Sequence, residues 1–140
     1  MEPSQKARPV LNIVIWIFQI LLALVFLSAG FLKAFKPIAE IGTQIFWAPR
    51  MPEGLVRFIG VSELLGGIGL ILPAALKVLP QLTTFAAAGL SLVMLLANLY
   101  HIGQGEFFVL PSTGALLFFL LFVTFGRWKL SPIIKAGTQT

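Results

Sequence analysis

Two ionisable groups in this chain stand where hydrocarbon is expected. Glu63 lies in RFIGVSELLGGIGLILP, the stretch from Arg57 to Pro73, with apolar residues and glycines on both sides. A lone carboxylate in hydrocarbon costs several kcal/mol, so it must pair, reach water or hold a proton. Such a residue is read first as a functional site. His101, the only histidine, closes another apolar run and is followed by Ile-Gly-Gln-Gly-Glu106. An unperturbed imidazole titrates near neutral pH and can pass protons. A Glu–His pair beside an apolar cavity suits protonation of a quinone, or binding of a polar-headed lipophile. The competing reading is an internal ion pair that only fixes helix register. The partner of Glu63 is open between Arg57, Lys33 and His101. Arg57 sits six residues before Glu63, about 100–120° around a helix, so a direct pair needs long side chains at full reach.

Composition says what must position these groups. The chain has 140 residues, of which 58% are hydrophobic and 11% charged, with a mean hydropathy of +0.97. A soluble domain would be about a quarter charged. About 20 apolar residues cross a bilayer as a helix, so there is room for four spans and no soluble domain. The expected fold is all-α, a single membrane domain. It is a bundle of four transmembrane helices with a short interfacial helix between the first two. The spans are expected at residues 10–32, 55–76, 81–101 and 108–126, with polar tails at 1–9 and 127–140. A signal peptide competes for the first run, but 23 residues free of charge exceed an h-region of roughly 7–15. Ten Lys and Arg stand against five acids, all Glu. Most basic residues flank apolar runs, as membrane anchors do, so nucleic acid is not the expected partner. The chain lacks cysteine, which excludes thiol–disulfide chemistry and thiolate metal sites within it. One histidine alone builds neither a zinc site nor a bis-histidine haem.

Helical spacing sorts the polar residues. Asn12, Trp16, Gln19, Ala23, Phe26, Gly30 and Lys33 recur at steps of three and four, so they share one face of the first span, which should point into the bundle. Gln19 is either a ligand contact or a hydrogen-bonding residue between helices. In the second span Gly60, Glu63 and Gly67 share a face with Arg57 at its edge, and small residues there let a neighbour approach closely. Ala87, Ser91, Met94, Asn98 and His101 form the corresponding stripe of the third span. The fourth span, rich in Phe and Leu, reads as a wall. In the first connector, Pro37 suits the N1 position of a short helix whose Ile38, Ile41 and Ile45 face the membrane surface. Phe46-Trp47 suits the interfacial aromatic belt. Arg127, Trp128 and Lys129 read as interfacial anchors, and the tail after Pro132 as disordered.

Successive spans reverse direction. Lys33, Lys36, Arg57, Asn98, His101 and Glu106 therefore meet at one membrane face, with Glu63 just below it. Three independent stripes bring their polar ends to one mouth. The opposite side carries Lys6, Arg8, Lys77, Arg127, Lys129 and Lys135, against Lys33, Lys36, Arg50 and Arg57 at the mouth. The positive-inside rule then expects both termini in the cytoplasm.

The run from Trp16 to Lys33, the stretch from Arg57 to Gly66 closed by Gly69-Leu-Ile-Leu-Pro73, and Ala97, His101 and Gly105-Glu106 resemble the DoxX-like family of small four-helix membrane proteins. The resemblance covers nearly the whole chain and is most specific in the second span. It implies Glu63, Arg57 and His101 as family-typical positions, and Lys33 and Glu106 less specifically. Its wider group includes quinone-linked subunits of thiosulfate oxidation, proteins implicated in quinone or oxidative-stress resistance, and a receptor-assembly chaperone. The expected function is binding of a quinone or similar lipophile in the bundle, in a bacterial inner membrane, as a subunit of an oxidoreductase system. The expected ligand contacts are Glu63, Arg57, His101, Lys33, Gln19, Asn98 and Glu106. Quinone is the cofactor this admits. The chain has no redox centre of its own, so electrons would come from a partner protein or bound cofactor. Self-association stays open. Two further readings are an assembly factor whose glycine-rich faces bind a partner helix, and a small proton-coupled exporter.

Overall fold

The computed structural model describes residues 7–137. Residues 1–6 of the expected N-terminal tail, with Glu2 and Lys6, lie outside the described residues. Helix α1 spans Ala7–Phe35, α2 Ile38–Ile41, α3 Glu53–Leu76, α4 Gln81–Gly103 and α5 Leu110–Phe125, which runs on into a π-helical turn at Gly126–Leu130. Four segments are long and apolar enough to cross a membrane: Pro9–Phe35, Glu53–Leu76, Gln81–Gly103 and Phe107–Leu130.

The ends follow local chemistry. Pro52 precedes α3 as its N-cap, and Glu53 places a carboxylate in the first turn, where the helix dipole favours it. Lys77 closes α3 in the left-handed region, φ 53°, so the chain reverses tightly into α4. Pro73 lies inside the last turns of α3 and has no N–H to give the Gly69 carbonyl.

The long helices form a ring in which α1 packs on α3, α3 on α4, α4 on α5, and α5 back on α1. The α1–α3 seam is the tightest. A Cβ on Gly60 would fall 2.6 Å from the Ala34 nitrogen and 2.8 Å from the Lys33 backbone carbon. Gly30 and Gly60 thus let two backbones touch, as small residues do between membrane helices. Ile15, Phe26, Leu70, Leu90, Leu120 and Val123 fill the centre. Phe18 stacks on Phe119 with ring centroids 4.6 Å apart and helps close the α1–α5 seam.

The first connector departs from expectation. Its helix is a single turn with Pro37 as N-cap, not N1. One turn is too short to lie on a membrane as an amphipathic helix. The connector instead folds back over the bundle mouth, where Ile41, Ala48 and Val56 make a second small core with Ile38, Ile45, Trp47 and Met51 against it. Trp47 turns inward to line the bundle cavity, while Phe46 stays exposed. At the other end Arg127 is buried, not an exposed anchor. The tail expected to be disordered takes a path back to the α3–α4 turn as far as Gly137, with the Ala136 N–H donating to the Lys77 carbonyl at 3.0 Å.

Candidate functional site

The mouth holds two ionic clusters. In the deeper one, Lys33 Nζ lies 2.7 Å from both carboxylate oxygens of Glu63. Both residues are buried. The glycine contact of α1 with α3 makes this pair, because it sets Lys33 directly against the turn that carries Glu63. Arg57 does not reach Glu63. Its guanidinium donates to the carbonyls of Lys33 and Lys36 at 2.9 and 2.6 Å, and to Glu53 at 3.0 Å. Arg57 therefore caps the C-terminal end of α1, where helix carbonyls lack partners and a cation is favoured. It holds the backbone of Lys33 and so positions the Glu63 partner.

The shallower cluster joins three elements. His101 Nδ1 is 2.7 Å from Glu106 Oε2, and Arg50 donates to Glu106 Oε1. Gly105, at φ +72°, supplies the left-handed turn that brings Glu106 back over His101. The Glu106 N–H also donates to the His101 carbonyl at 2.9 Å. Desolvation pushes the Glu106 carboxyl up, but the hydrogen bonds and charges of His101 and Arg50 outweigh it and hold the group below its ordinary value of 4.5. An ionised Glu106 accepts, so Nδ1 is the imidazole nitrogen that carries the hydrogen. Trp47 links the clusters. Lys33 Nζ lies 5.5 Å from its ring centroid, and the His101 ring meets it edge-on at 6.5 Å.

Between the clusters lies a cavity of about 410 Å³. Its walls are mostly apolar, including Phe26, Met94 and Leu116, and Lys33, Glu63 and His101 are among its polar lining. Phe58 on α3 and Leu96 on α4 also line it and are largely exposed, so the cavity opens sideways between those helices. An apolar pocket with a few convergent polar groups is the form that small-molecule sites take, commonly within about 300–1,000 Å³.

Four expected contacts do not line the cavity: Arg57 and Glu106 are held in the two ionic clusters, and Gln19 and Asn98 lie elsewhere. The Gln19 amide donates to the Leu70 carbonyl at 2.6 Å and its oxygen accepts from Arg127. This interhelical role lies towards the far end of the bundle, one of the two readings its position left open. Asn98 donates to the Met94 carbonyl and accepts from Thr113, tying α4 to α5. Sequence reasoning missed Trp47, Tyr100 and Arg50. Trp47 and Tyr100 line the cavity, and Arg50 completes the outer cluster. Tyr100 was within reach, being next to His101 at the end of the third stripe. Trp47 and Arg50 depend on how the connector folds.

No curated protein and no solved structure matches the chain. The family model described as DoxX-like matches residues 17–125, a stretch that contains α3, α4, α5, both ionic clusters and all cavity-lining residues. This small integral membrane protein belongs to the DoxX-like family.

Proposed function

We propose that the chain binds a quinone or a similar polar-headed lipophile in the mouth cavity. The head lies against Lys33, Glu63 and His101, and the tail leaves between Phe58 and Leu96 into the bilayer. The observation that carries this reading is one apolar cavity of about 410 Å³ that meets a buried ion pair, an imidazole and a sideways opening together. A quinone, when bound, would supply the two-electron chemistry that these side chains lack. The chain's own groups would orient the head through Lys33 Nζ, and His101 with Glu106 would relay protons between the mouth and the cavity. Electrons then come from a partner in a membrane oxidoreductase system. The chain lies in the bacterial inner membrane with both termini in the cytoplasm.

The assembly-factor reading loses its main support. Gly60, Gly66, Gly67 and Gly69 of α3 already meet Lys33, Leu90, Leu27 and Ala86 within the chain, so a partner helix would not find them free.

Native mass spectrometry of the gently solubilised protein, with bound lipids extracted and identified, tests the proposal. Ala97 lines the cavity without contacting either cluster's hydrogen bonds. Wild type should retain a quinone or another defined lipophile, and Ala97→Phe should lose it while remaining folded. Only bulk phospholipid on both proteins would sink the proposal and turn attention to partner capture.

A further inference from the structure

We propose a second site at the opposite end of the bundle, independent of the mouth: a groove beside Arg127, between the start of α4 and the end of α5, that binds the phosphate of an anionic phospholipid. Arg127 is 4% exposed. Its Nε donates to Gln19, and its Nη1 donates to Asn12 Oδ1 at 2.6 Å and the Ser131 carbonyl at 3.1 Å. The Trp16 ring lies 5.3 Å from the guanidinium carbon. Every one of these partners is neutral. Arg127 Nη2 is buried and has no hydrogen-bond partner among the described residues. A buried guanidinium held only by neutral groups keeps its full charge uncompensated, which is costly.

The described residues provide no countercharge at this end. Glu40, Glu53, Glu63 and Glu106 all lie at or near the mouth, whereas Lys77, Arg127 and Lys129 lie at the ends of α3 and α5. The missing anion must suit the groove that Arg127 borders. That groove has a volume of about 550 Å³ and is lined in part by Gln81, Thr84, Phe85, Ala88 and Trp128. Phe85 is 71% exposed on a membrane-spanning helix, so one wall of the groove is continuous with the hydrocarbon. Gln81 and Thr84 offer hydrogen bonds at headgroup level. The combination fits a molecule with a phosphate at one end and acyl chains at the other. Guanidinium is the side-chain group best matched to phosphate. The surplus of basic residues favours a headgroup of net negative charge over a zwitterionic one, by about fivefold for each Lys or Arg close to the phosphate.

The test uses the full chain in detergent, offered equal amounts of phosphatidylglycerol and phosphatidylcholine, with adducts read by native mass spectrometry. Phosphatidylglycerol should be retained about fivefold or more in excess. Arg127→Gln should remove that excess. Arg127 also ties α1 to α5, so loss of the excess in this variant does not by itself separate binding from folding; Ala88→Trp fills the groove while leaving every Arg127 contact intact, and it should remove the excess as well. Ala97→Phe, in the mouth cavity, should leave it unchanged, which separates this site from the quinone reading. Equal retention of the two lipids, or an excess that survives Ala88→Trp, would overturn the proposal. So would displacement of phosphatidylglycerol by millimolar inorganic phosphate, which would mark a site for free anions.

Discussion

Lys33 and Glu63 compensate one another in a place where neither could stay charged alone. Both carboxylate oxygens are engaged at 2.7 Å and neither residue is more than a few per cent exposed. Removing one member of such a pair strands the other, at a cost of about 3–5 kcal/mol, whereas replacing both by neutral groups of similar size can be nearly neutral. Lys33→Met and Glu63→Gln should each lower the midpoint of unfolding in a denaturing-detergent titration. The double variant should be far more stable than the sum of the single losses; additive losses would mean that the pair is not a unit. This coupling is why Glu63→Gln alone is a poor probe of ligand binding and a cavity-filling change is a better one. Glu63 was legible in the sequence because a carboxylate in an apolar run stands out. Its partner was not, because Lys33, Arg57 and His101 were all at the right membrane depth. The choice depends on how closely α1 approaches α3, which is set by Gly30 and Gly60 facing each other. Arg127 was misread for a related reason. A basic residue at the end of a span is usually an anchor, and only the packing of Asn12 and Gln19 against it marks it as buried.

At the scale of the elements, the same glycines make opposite predictions for similar substitutions. Gly60→Ala would drive a methyl group to within 2.6 Å of backbone that cannot give way. It should destabilise the bundle by about 1–3 kcal/mol, the usual cost of overpacking. Gly89, on the exposed face of α4, has nothing within 4 Å of its would-be Cβ. Gly89→Ala should be neutral or stabilising, by up to about 1 kcal/mol from helix propensity. Detergent-titration midpoints decide both, and equal effects would show that the α1–α3 contact is looser than described. The connector is held differently, through Arg50 to Glu106 and on to His101. Glu106 titrates below its ordinary value in the folded protein. Its contribution to holding the connector is therefore complete above the unfolded-state value of 4.5 and is lost as the pH falls through the lower folded-state value. Trp47 reports on this directly, since it sits against His101. In a Trp16→Phe, Trp128→Phe background, Trp47 emission should be steady above the ordinary carboxylate range and change below it. Glu106→Gln should already show the low-pH emission at neutral pH. An emission that titrates alike in both proteins would assign the change to another group. The four spans were readable from apolar run length, although the first runs on to Phe35 and the last to Leu130, past the expected residues 32 and 126. The fold of the connector was not, because the twelve residues between Pro37 and Arg50 carry no periodic pattern long enough to declare which side faces inward.

On the scale of the whole molecule, charge is divided unequally between the two ends. The mouth carries Lys33, Lys36, Arg50 and Arg57 together with all four described glutamates, and most of these charges are paired across it. The other end carries Lys77, Arg127, Lys129 and Lys135 with no described acid. Insertion responds to Lys and Arg near span ends and only weakly to acids. By that count Lys77, Arg127, Lys129 and Lys135 balance the four cations of the mouth, and Lys6 and Arg8 supply the bias. Orientation can be read cleanly because the chain has no cysteine, so a single introduced thiol reports its own side. Gln44→Cys lies in the exposed connector at the mouth, and Lys129→Cys lies at the other end. A membrane-impermeant maleimide added to intact cells should label Gln44→Cys and leave Lys129→Cys unlabelled until the membrane is opened. The reverse pattern would put the mouth in the cytoplasm and leave the cavity itself untouched. Labelling of both positions in intact cells would mean that the chain inserts both ways. A cavity with one mouth would then face both compartments across the population, which is what alternating use of Glu63 by an exporter needs and what a fixed quinone subunit does not.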